Sequence, residues 1–308
     1  MTISRQNLSI IIVTFMSEEV IDNCIKSIPN DIKIVIVDNS NNSIFKKNVE
    51  NKYKNVQCIS SPENLGMGRG NNLGLKNINT DFALILNPDV ILEKDTINEI
   101  INASKDLQSF AILAPISNKK NYPNYKLYEK KDFIKNTIAP FKVKSVDGYA
   151  LILNLKRLNK LESFRGNNYF DENFFLYLEN DDLCKRIVDN NENIYVVPKS
   201  KINHLGASAV NKKFEYQIEL LRNWHWIWSK FYYNKKHHGF LIALFGGLPT
   251  FLSAIIKSLF YSLLNKRKRD IYYHRVSGYW NALLGRKSNF RPKINSKCPG
   301  KSIKFSTL

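Results

Sequence analysis

The first third of the chain alternates between apolar blocks and segments of helical spacing. Four short segments rich in β-branched and other apolar residues are predicted strands: 8–15, 33–38, 56–60 and 82–86. Between them, 17–28 and 70–76 space their apolar residues as one face of a helix does. Near-continuous apolar strands are typical of parallel sheets covered on both faces. The pattern predicts an alternating βαβ unit about as long as a nucleotide-binding half-sheet.

The pattern is less regular in the middle of the chain. A helix is predicted over 95–107 and a strand over 111–114, and the polar segment 118–135 is interpreted as a loop. A second block predicts three more elements, namely a strand over 148–154, a helix over 174–189 and a strand over 194–197. From Phe214 onward the spacing is helical, with many aromatic residues.

This organisation predicts a catalytic α/β domain over 1–210 and a helical region over 211–308. The charge supports the division, because it is distributed unevenly. Residues 1–200 hold 26 Lys and Arg against 24 Asp and Glu, whereas residues 201–308 hold 20 against 3. The net charge of +19 therefore lies almost entirely in the last third of the chain.

An apolar segment, 240–264, stands in the middle of this basic region and precedes the cluster Lys266-Arg267-Lys268-Arg269. Such a combination is typical of attachment to an anionic membrane surface. Gly246, Gly247, Pro249 and Lys257 interrupt the segment, which favours a peripheral or monotopic helix over a simple transmembrane one. The alternatives are a solvated basic tail or a buried core helix with a charged end.

The N-terminus and the cysteines indicate the compartment. The first seven residues are polar and pass directly into a strand, so no signal peptide is visible. The cysteines, which are widely spaced and form no metal-ligand pattern, fit a reducing environment: Cys24, Cys58, Cys184 and Cys298. We expect a cytoplasmic protein on the inner face of the cell membrane.

Polar residues gather where predicted strands end. Asp38 closes the second strand, and Asp89 follows the strand 82–86 on an Asn-Pro-Asp turn. The segment 63–72 carries three glycines, which permit close approach of the backbone to a ligand, and several asparagines. The segment 177–186 places three carboxylates in a helical pattern. Together these features predict a site that binds a diphosphate, a metal and a group that needs a base.

Five motifs in this order resemble the rhamnosyltransferase-type branch of glycosyltransferase family 2. They are Val-Asp-Asn-Ser at 37–40, Asn-Leu-Gly-Met-Gly-Arg-Gly-Asn-Asn at 64–72, Leu-Asn-Pro-Asp at 86–89, the acidic segment 170–186 and His-Leu-Gly at 204–206. The resemblance covers about residues 8–210. It implies a glycosyltransferase A fold, a Rossmann-like and mostly parallel sheet flanked by helices, with a nucleotide-sugar across the ends of the N-terminal strands.

The resemblance also implies roles for individual residues. Thr14 and Asp38 match positions that hold the nucleotide base. Asp89 matches the last acid of the metal-binding motif, whose first position is Asn87, and His204 matches a further metal ligand. The expected metal is Mg²⁺ or Mn²⁺. The remaining predicted donor-binding residues lie in the glycine-rich motif: Asn64, Gly66, Arg69 and Asn72.

The family reaction implied by the resemblance is inverting transfer, which needs a base for the acceptor hydroxyl. The base of the family is the second residue of an acidic pair, and that position is Asn180 here. We predict that Glu179 or Asp181 takes the role. Asp182, three residues after Glu179 and on a similar helical face, is the predicted positioning partner.

The substrate is left open by the motifs. The best interpretation is transfer of rhamnose from a dTDP-sugar onto a lipid-linked saccharide at an anionic membrane surface. A UDP-sugar transferase and a catalytically inactive, membrane-bound homologue are the alternatives, and Asn180 is the feature that favours the second. A nucleic-acid-binding protein is disfavoured, because no recognition motif accompanies the basic region.

Overall fold

The computed structural model describes residues 2–118, 123–129, 137–166, 168–206 and 212–292. The chain divides into two compact units. Unit 1 comprises Met1–Glu172 and Glu179–Val210, and unit 2 comprises Asn173–Leu178 and Asn211–Leu308. The short segment 173–178 thus belongs to unit 2, although both of its flanking segments belong to unit 1.

Unit 1 is built on a mixed sheet. Its strands within the described residues are β1 Leu8–Thr14, β2 Lys33–Asp38, β3 Val56–Ser60, β4 Phe82–Leu86, β5 Val90–Leu92, β6 Ile112–Ser117, β7 Tyr125–Lys126, β8 Phe141–Lys142, β9 Ser145–Val146, β10 Ala150–Asn154 and β11 Ile194–His204. Nine of them form one sheet in the order β3-β2-β1-β4-β10-β6-β11-β5, with β8 paired to β11. The strands β7 and β9 form a separate antiparallel pair.

Helices flank this sheet: α1 Ile21–Lys26, α2 Ser43–Lys52, α3 Gly66–Leu75, α4 Thr96–Asp106, α5 Leu155–Leu158 and α6 Glu179–Asp189. The strand β1 pairs in parallel with both β2 and β4, whereas β10 is antiparallel to β4 and β6. Two hydrophobic clusters cover the two faces of the sheet. The predicted α/β class is confirmed.

The central strands form because nearly every side chain in them can be buried. Each residue of β1 and β4 is buried, and Ile10, Ile11 and Ile12 are inaccessible to solvent. Burying a side chain of this size stabilises the fold by about 1.5–3 kcal/mol. Consecutive residues of a strand point to opposite faces, so such a run requires cover on both sides.

Several predicted elements differ from the observed ones in their limits: the helix predicted over 70–76 begins at Gly66, and the strand predicted over 111–114 ends at Ser117. The first helix is shorter than 17–28 and spans only Ile21–Lys26. The helix predicted over 174–189 begins at Glu179, because Tyr177 and Leu178 have φ angles of 71° and 66° in the left-handed region. The strand predicted over 194–197 extends to His204, with a register irregularity between Val197 and Lys201.

The interpretation of 118–135 as a loop was wrong in one respect. Tyr125–Lys126 forms the strand β7, which pairs with β9. Much of the remaining segment lies outside the described residues.

Unit 2 is helical: α7 Glu215–His238, α8 Phe240–Tyr261 and α9 Lys266–Leu283. Its core is mainly aromatic and includes Trp224, Trp228, Phe231 and Tyr279. The His225 imidazole is buried between Ser288 Oγ and the Phe290 carbonyl, each 2.9 Å from a ring nitrogen. Burial lowers the pKa of His225 to about 3, so the ring is neutral and ties the segment after α9 to α7.

Candidate active site

The ends of β1 and β2 bring Thr14 and Asp38 together, since the two residues are register partners. Both side chains are buried. The Asp38 carboxylate accepts hydrogen bonds from the Ser40 N–H at 3.0 Å, the Asn42 N–H at 2.8 Å and the Ser40 hydroxyl. Burial raises the pKa of Asp38, and these hydrogen bonds oppose that change. The turn after β2 therefore fixes the orientation of the carboxylate.

The glycine-rich segment is tied to the same strand end. Asn39 donates from Nδ2 to the Gly66 carbonyl at 3.1 Å and accepts from the Leu65 N–H at 3.3 Å. Asn64 Oδ1 accepts from the Gly66 N–H at 3.0 Å, and Gly66 has a φ of 76° that favours glycine. These contacts place Asn64 and Gly66 beside the end of β2.

Two glycines of this region serve helix packing. A Cβ atom on Gly70 would lie 2.9 Å from Val13 Cγ1, and one on Gly74 would lie 2.4 Å from Ile11 Cγ2. Both distances are too short for a side chain, so these glycines allow α3 to pack closely against β1. The approach of a ligand to the three glycines of 63–72 stays a prediction.

The other two residues predicted in this segment are engaged with the chain. Asn72 donates from Nδ2 to the Phe170 carbonyl at 2.8 Å and accepts from the Phe170 N–H at 3.0 Å. Its amide thus anchors the segment that precedes the acidic helix. Arg69 is half-exposed and forms ion pairs with Glu63 at 3.4 Å and Glu172 at 3.7 Å. The roles of Asn72 and Arg69 in donor binding stay predictions.

Asn87, Asp89 and His204 come together at the other strand ends. The antiparallel pairing of β5 with β11 puts His204 opposite Val90, and the Leu205 N–H donates to the Asp89 carbonyl at 3.1 Å. His204 Nε2 consequently lies 3.5 Å from Asp89 Oδ1. The Asp89 carboxylate is 3% exposed.

Two buried oxygens at this position have no hydrogen-bond partner within the described part of the chain. They are Asn87 Oδ1 and Asp89 Oδ1. Buried polar atoms are normally hydrogen-bonded, so these two oxygens on one turn, one of them 3.5 Å from the His204 Nε2 atom, indicate a ligand site. Oxygen atoms with one imidazole suit a hard divalent cation such as Mg²⁺ or Mn²⁺. The described residues include no group of three or more His, Cys, Asp or Glu that could hold a metal by itself, so a ligand would complete the coordination.

Tyr149 supports this group, and sequence reasoning missed it. Its ring stacks on His204 with centroids 4.0 Å apart, and its carbonyl accepts from the Asn87 N–H at 2.9 Å. Tyr149 directly precedes β10 and contacts both His204, through its ring, and Asn87, through its carbonyl. No motif marks the residue, because its place depends on the pairing of β10 with β4.

The acidic helix α6 begins with the candidate base. Glu179 is 8% exposed, and its Oε2 atom has no hydrogen-bond partner among the described residues. Burial raises the pKa of Glu179 to about 7, and the charge of Asp181 adds to the increase. A carboxylate with a pKa near neutrality and a free oxygen is suited to general base catalysis.

The other two carboxylates of α6 have partners. Asp181 forms an ion pair with Lys126 at 2.7 Å, and Asp182, which is inaccessible to solvent, forms one with Arg186 at 2.9 Å. Arg186 also donates to the Tyr169 carbonyl. Asp182 therefore orients the side chain that holds the segment before α6.

Asn180 has a structural contact of its own. Its Nδ2 donates to the Val146 carbonyl at 2.9 Å, and a Cβ on Gly148 would lie 3.1 Å from Asn180 Cβ. An amide donates in this geometry, whereas an ionised carboxylate at the same position would face the carbonyl oxygen. The residue that replaces the family's usual acid thus joins α6 to the segment that leads to Tyr149.

Asp147 is a second residue that sequence reasoning missed. Burial raises its pKa, the Asp181 charge adds to the increase, and Lys126 and His204 oppose it. Asp147 is therefore in electrostatic reach of both the acidic helix and His204. The available signal was an Asp-Gly pair between two apolar runs, which is more often a turn than a site.

The fold is of the glycosyltransferase A type. The sequence model of the family Glycosyl transferase family 2 matches residues 9–175, which is slightly more than half of the chain. The chain belongs to glycosyltransferase family 2.

The chain is similar in sequence to one known glycosyltransferase and in fold to two others. The chain is 28% identical over 204 residues to the low-salt glycan biosynthesis hexosyltransferase Agl10 of Haloferax volcanii, and the match covers 61% of this chain and 64% of Agl10. The mannosyltransferase PcManGT of Pyrobaculum calidifontis, solved with GDP-Man and Mn²⁺, has a TM-score of 0.53 at 11% identity, covering 91% of this chain and 88% of that one. GalNAc-T7, solved with UDP, GalNAc and Mn²⁺, has a TM-score of 0.52 at 13% identity, covering 76% and 52%.

Proposed function

We propose that this chain is a metal-dependent, inverting hexosyltransferase of cell-surface glycan biosynthesis. The observation that carries the proposal is the group that follows β4, where the buried oxygens Asn87 Oδ1 and Asp89 Oδ1 have no hydrogen-bond partner among the described residues and Asp89 Oδ1 lies 3.5 Å from His204 Nε2. Such a group suits a cation and the diphosphate of a nucleotide-sugar. Agl10, the matched hexosyltransferase, works in glycan biosynthesis.

Asp89, Asn87 and His204 would hold Mg²⁺ or Mn²⁺. The cation, when bound, would neutralise the charge that develops on the leaving diphosphate. Two structurally similar glycosyltransferases were solved with Mn²⁺, which supports a divalent cation here. Tyr149 would keep the His204 ring in place through the stacking contact.

Glu179 is the proposed base. Its unpartnered Oε2 would accept the proton of the acceptor hydroxyl while the oxygen attacks the anomeric carbon from the face opposite to the diphosphate. Asp181 is the weaker candidate, because its carboxylate is paired with Lys126. Asp182 would act as a positioning residue through Arg186.

Thr14 and Asp38 would bind the base of the nucleotide, and Asn64 and Gly66 would line the path of the donor. The donor we propose is a dTDP-sugar, with rhamnose as the transferred group, on the basis of the motifs at 37–40 and 64–72. The acceptor we propose is a lipid-linked saccharide at the cytoplasmic face of an anionic membrane. A UDP-sugar donor is the second candidate, since GalNAc-T7 was solved with UDP.

The test is a donor screen with the purified full-length chain. Hydrolysis of dTDP-rhamnose, UDP-glucose, UDP-N-acetylglucosamine and GDP-mannose would be measured with Mn²⁺, with Mg²⁺ and with a chelator. We expect slow hydrolysis of one donor, loss of that activity with chelator and recovery with added metal. Hydrolysis of a UDP-sugar alone would overturn the rhamnose assignment, and no hydrolysis or binding of any donor would favour the inactive homologue.

A further inference from the structure

The helix α8 has two different faces. Phe240, Ile242 and Phe260 are exposed, and a further set of exposed large side chains recurs at intervals of three, four or seven residues along one side of the helix: Leu241, Phe245, Leu252, Ile256 and Leu259, with Leu263 just beyond the end. We call these six residues the apolar stripe. Among the described residues α8 is the helix long and apolar enough to cross a membrane, by length and composition.

The opposite face of α8 packs within unit 2. Ala243 and Ala254 are buried, and a Cβ on Gly247 would lie 2.3 Å from Tyr279 Cε2. The Tyr279 hydroxyl donates to the Leu244 carbonyl at 2.8 Å, and its ring stacks on Phe251 with centroids 4.7 Å apart. The apolar stripe is therefore left exposed by a helix that is otherwise fixed in place.

The helix α9 runs alongside α8 in the antiparallel direction. Tyr279 of α9 contacts the first half of α8, and Tyr272 stacks on Tyr261 at its end, with centroids 5.8 Å apart. Lys268 lies over the Tyr261 ring at 5.1 Å. If α8 crossed a bilayer, α9 would be drawn into the hydrocarbon with its charged residues, such as Arg275, and charges there are costly.

Basic residues stand at both ends of α8. Lys235 precedes it in the last turn of α7, and Lys266 and Lys268 follow it at the start of α9. A spanning helix would place these groups on opposite sides of the membrane. A helix that lies in the plane of one leaflet brings both groups to the same anionic headgroups.

Only some of the basic residues in the cluster at 266–269 are without a carboxylate partner among the described residues. Arg267 forms ion pairs with Glu215 at 2.8 Å and Glu219 at 2.7 Å, and Arg269 pairs with Asp270 at 2.6 Å. Lys266 and Lys268 have no ion pair within the described residues. These two lysines are the part of the cluster that can meet anionic lipid.

We infer that α8 lies flat in the interface of an anionic bilayer, with the apolar stripe inserted among the acyl chains and Lys266 and Lys268 at the headgroups. The side of α8 that carries Gly247 stays packed within unit 2. The inference deepens the proposed function, because it describes how the enzyme meets a membrane-bound acceptor. Vesicle binding needs no donor, so its result and that of the donor screen are independent.

The first experiment measures co-sedimentation of the full-length chain with vesicles of phosphatidylcholine, with and without phosphatidylglycerol. We expect binding that depends on the anionic lipid, and at least tenfold weaker binding of Ile256→Glu. Ile44→Glu is the matched control, because Ile44 is 66% exposed and Ile256 67% exposed, and Ile44 lies on α2 of unit 1. Replacing Lys266 and Lys268 with Gln should weaken binding by about fivefold for each residue.

The second experiment distinguishes a flat helix from a spanning one. A fluorophore is attached to Leu241→Cys, Leu252→Cys or Leu259→Cys in a Cys298→Ser background, and quenched by lipids that carry nitroxides at known depths. Cys24, Cys58 and Cys184 are buried, and burial raises the pKa of all three thiols, so they label slowly. We expect the same shallow depth at the three positions.

Other results would overturn the inference. A deep position at 252 between shallow positions at 241 and 259 would mean that α8 spans the bilayer. Absence of vesicle binding by the wild-type chain would exclude a membrane as the partner of the apolar stripe. A dimer in solution that Ile256→Glu dissociates, with vesicle binding unchanged, would assign the stripe to a second copy of the chain.

Discussion

The two units differ in where they keep their apolar side chains. In unit 1 the strands are buried on both faces, and the large exposed hydrophobic residues among those described are few: Ile44, Tyr128, Ile138 and Leu205. In unit 2 exposed hydrophobic residues line α8 from end to end. Both units are rich in apolar residues, so composition alone does not separate a completed core from a surface that needs a partner.

Their charges differ in a related way. The carboxylates that we propose for the chemistry of unit 1 are buried, namely Asp38, Asp89 and Glu179, and burial raises the pKa of Asp38 and of Glu179. The lysines around α8 are exposed, which suits contact with a surface of many equivalent anionic groups. The proposed ligand of unit 1 is therefore a single defined molecule, whereas the proposed partner of unit 2 is an extended surface.

The largest expected effect tests the buried group of unit 1. Asp89→Ala should reduce turnover by about 10³-fold or more, because it removes the carboxylate that would hold the cation at the leaving diphosphate. Turnover is measured with the donor identified in the screen, and folding by circular dichroism. The control is Asp95→Asn, an exposed residue near by that makes no side-chain cap hydrogen bond. Wild-type turnover of the Asp89 variant would remove the metal assignment.

The next effect concerns the base. Glu179→Gln should lower turnover by about 10²- to 10⁴-fold while donor binding is retained. Because the pKa of Glu179 is raised to about 7, the base form accumulates as the pH rises through neutrality. The wild-type rate should therefore increase with pH below about 7 and level off above it, and the variant should lose this dependence.

Asp181→Asn is the matched control for the base, since Asp181 lies on the same helix and is paired with Lys126. It should keep the pH dependence and most of the turnover. A larger loss for Asp181→Asn than for Glu179→Gln would transfer the role of base to Asp181.

In unit 2, two neighbouring glycines of α8 lie on different faces of the helix: Gly247 on the packed face and Gly246 on the exposed face. Gly247→Ala should destabilise the fold by about 1–3 kcal/mol, because the added methyl group overlaps the Tyr279 ring. Gly246→Ala meets no atom within 4 Å and should stabilise the helix by up to about 1 kcal/mol. Denaturant unfolding followed by circular dichroism measures both. Equal effects of the two substitutions would mean that α8 is not fixed against α9.

Local patterns predicted much of unit 1. The strands β1, β2, β3 and β4 were predicted within about a residue, since a buried parallel strand has a distinctive composition. The start of α6 was not predicted, because the apolar and polar spacing continues through Tyr177 and Leu178 while their backbone is left-handed. Spacing reports which face a side chain prefers, and it does not report the sign of φ.

Contacts between distant residues account for most of what the sequence did not reveal. Asp147 and Tyr149 join the site only through strand pairing, and neither belongs to a motif. The partners of Arg267, Glu215 and Glu219, precede it by 52 and 48 residues, so the cluster at 266–269 resembled four free charges. Local composition cannot distinguish a basic residue with a partner from one without.

The smallest expected effect concerns Asn180, the departure from the family's acidic pair. Asn180→Asp restores that acid, yet we expect no gain in turnover, because the Asn180 amide donates to the Val146 carbonyl and an ionised carboxylate cannot. Stability should fall by about 1 kcal/mol at neutral pH. The folded state would raise the pKa of the new carboxyl, so the loss should be present above about pH 4 and diminish as the pH falls and the group becomes protonated. Thermal unfolding at about pH 3.5 and about pH 8, with Asn180→Ala for comparison, measures the difference. Faster turnover of Asn180→Asp would show that position 180 still faces the acceptor, and Glu179 would then lose the role of base.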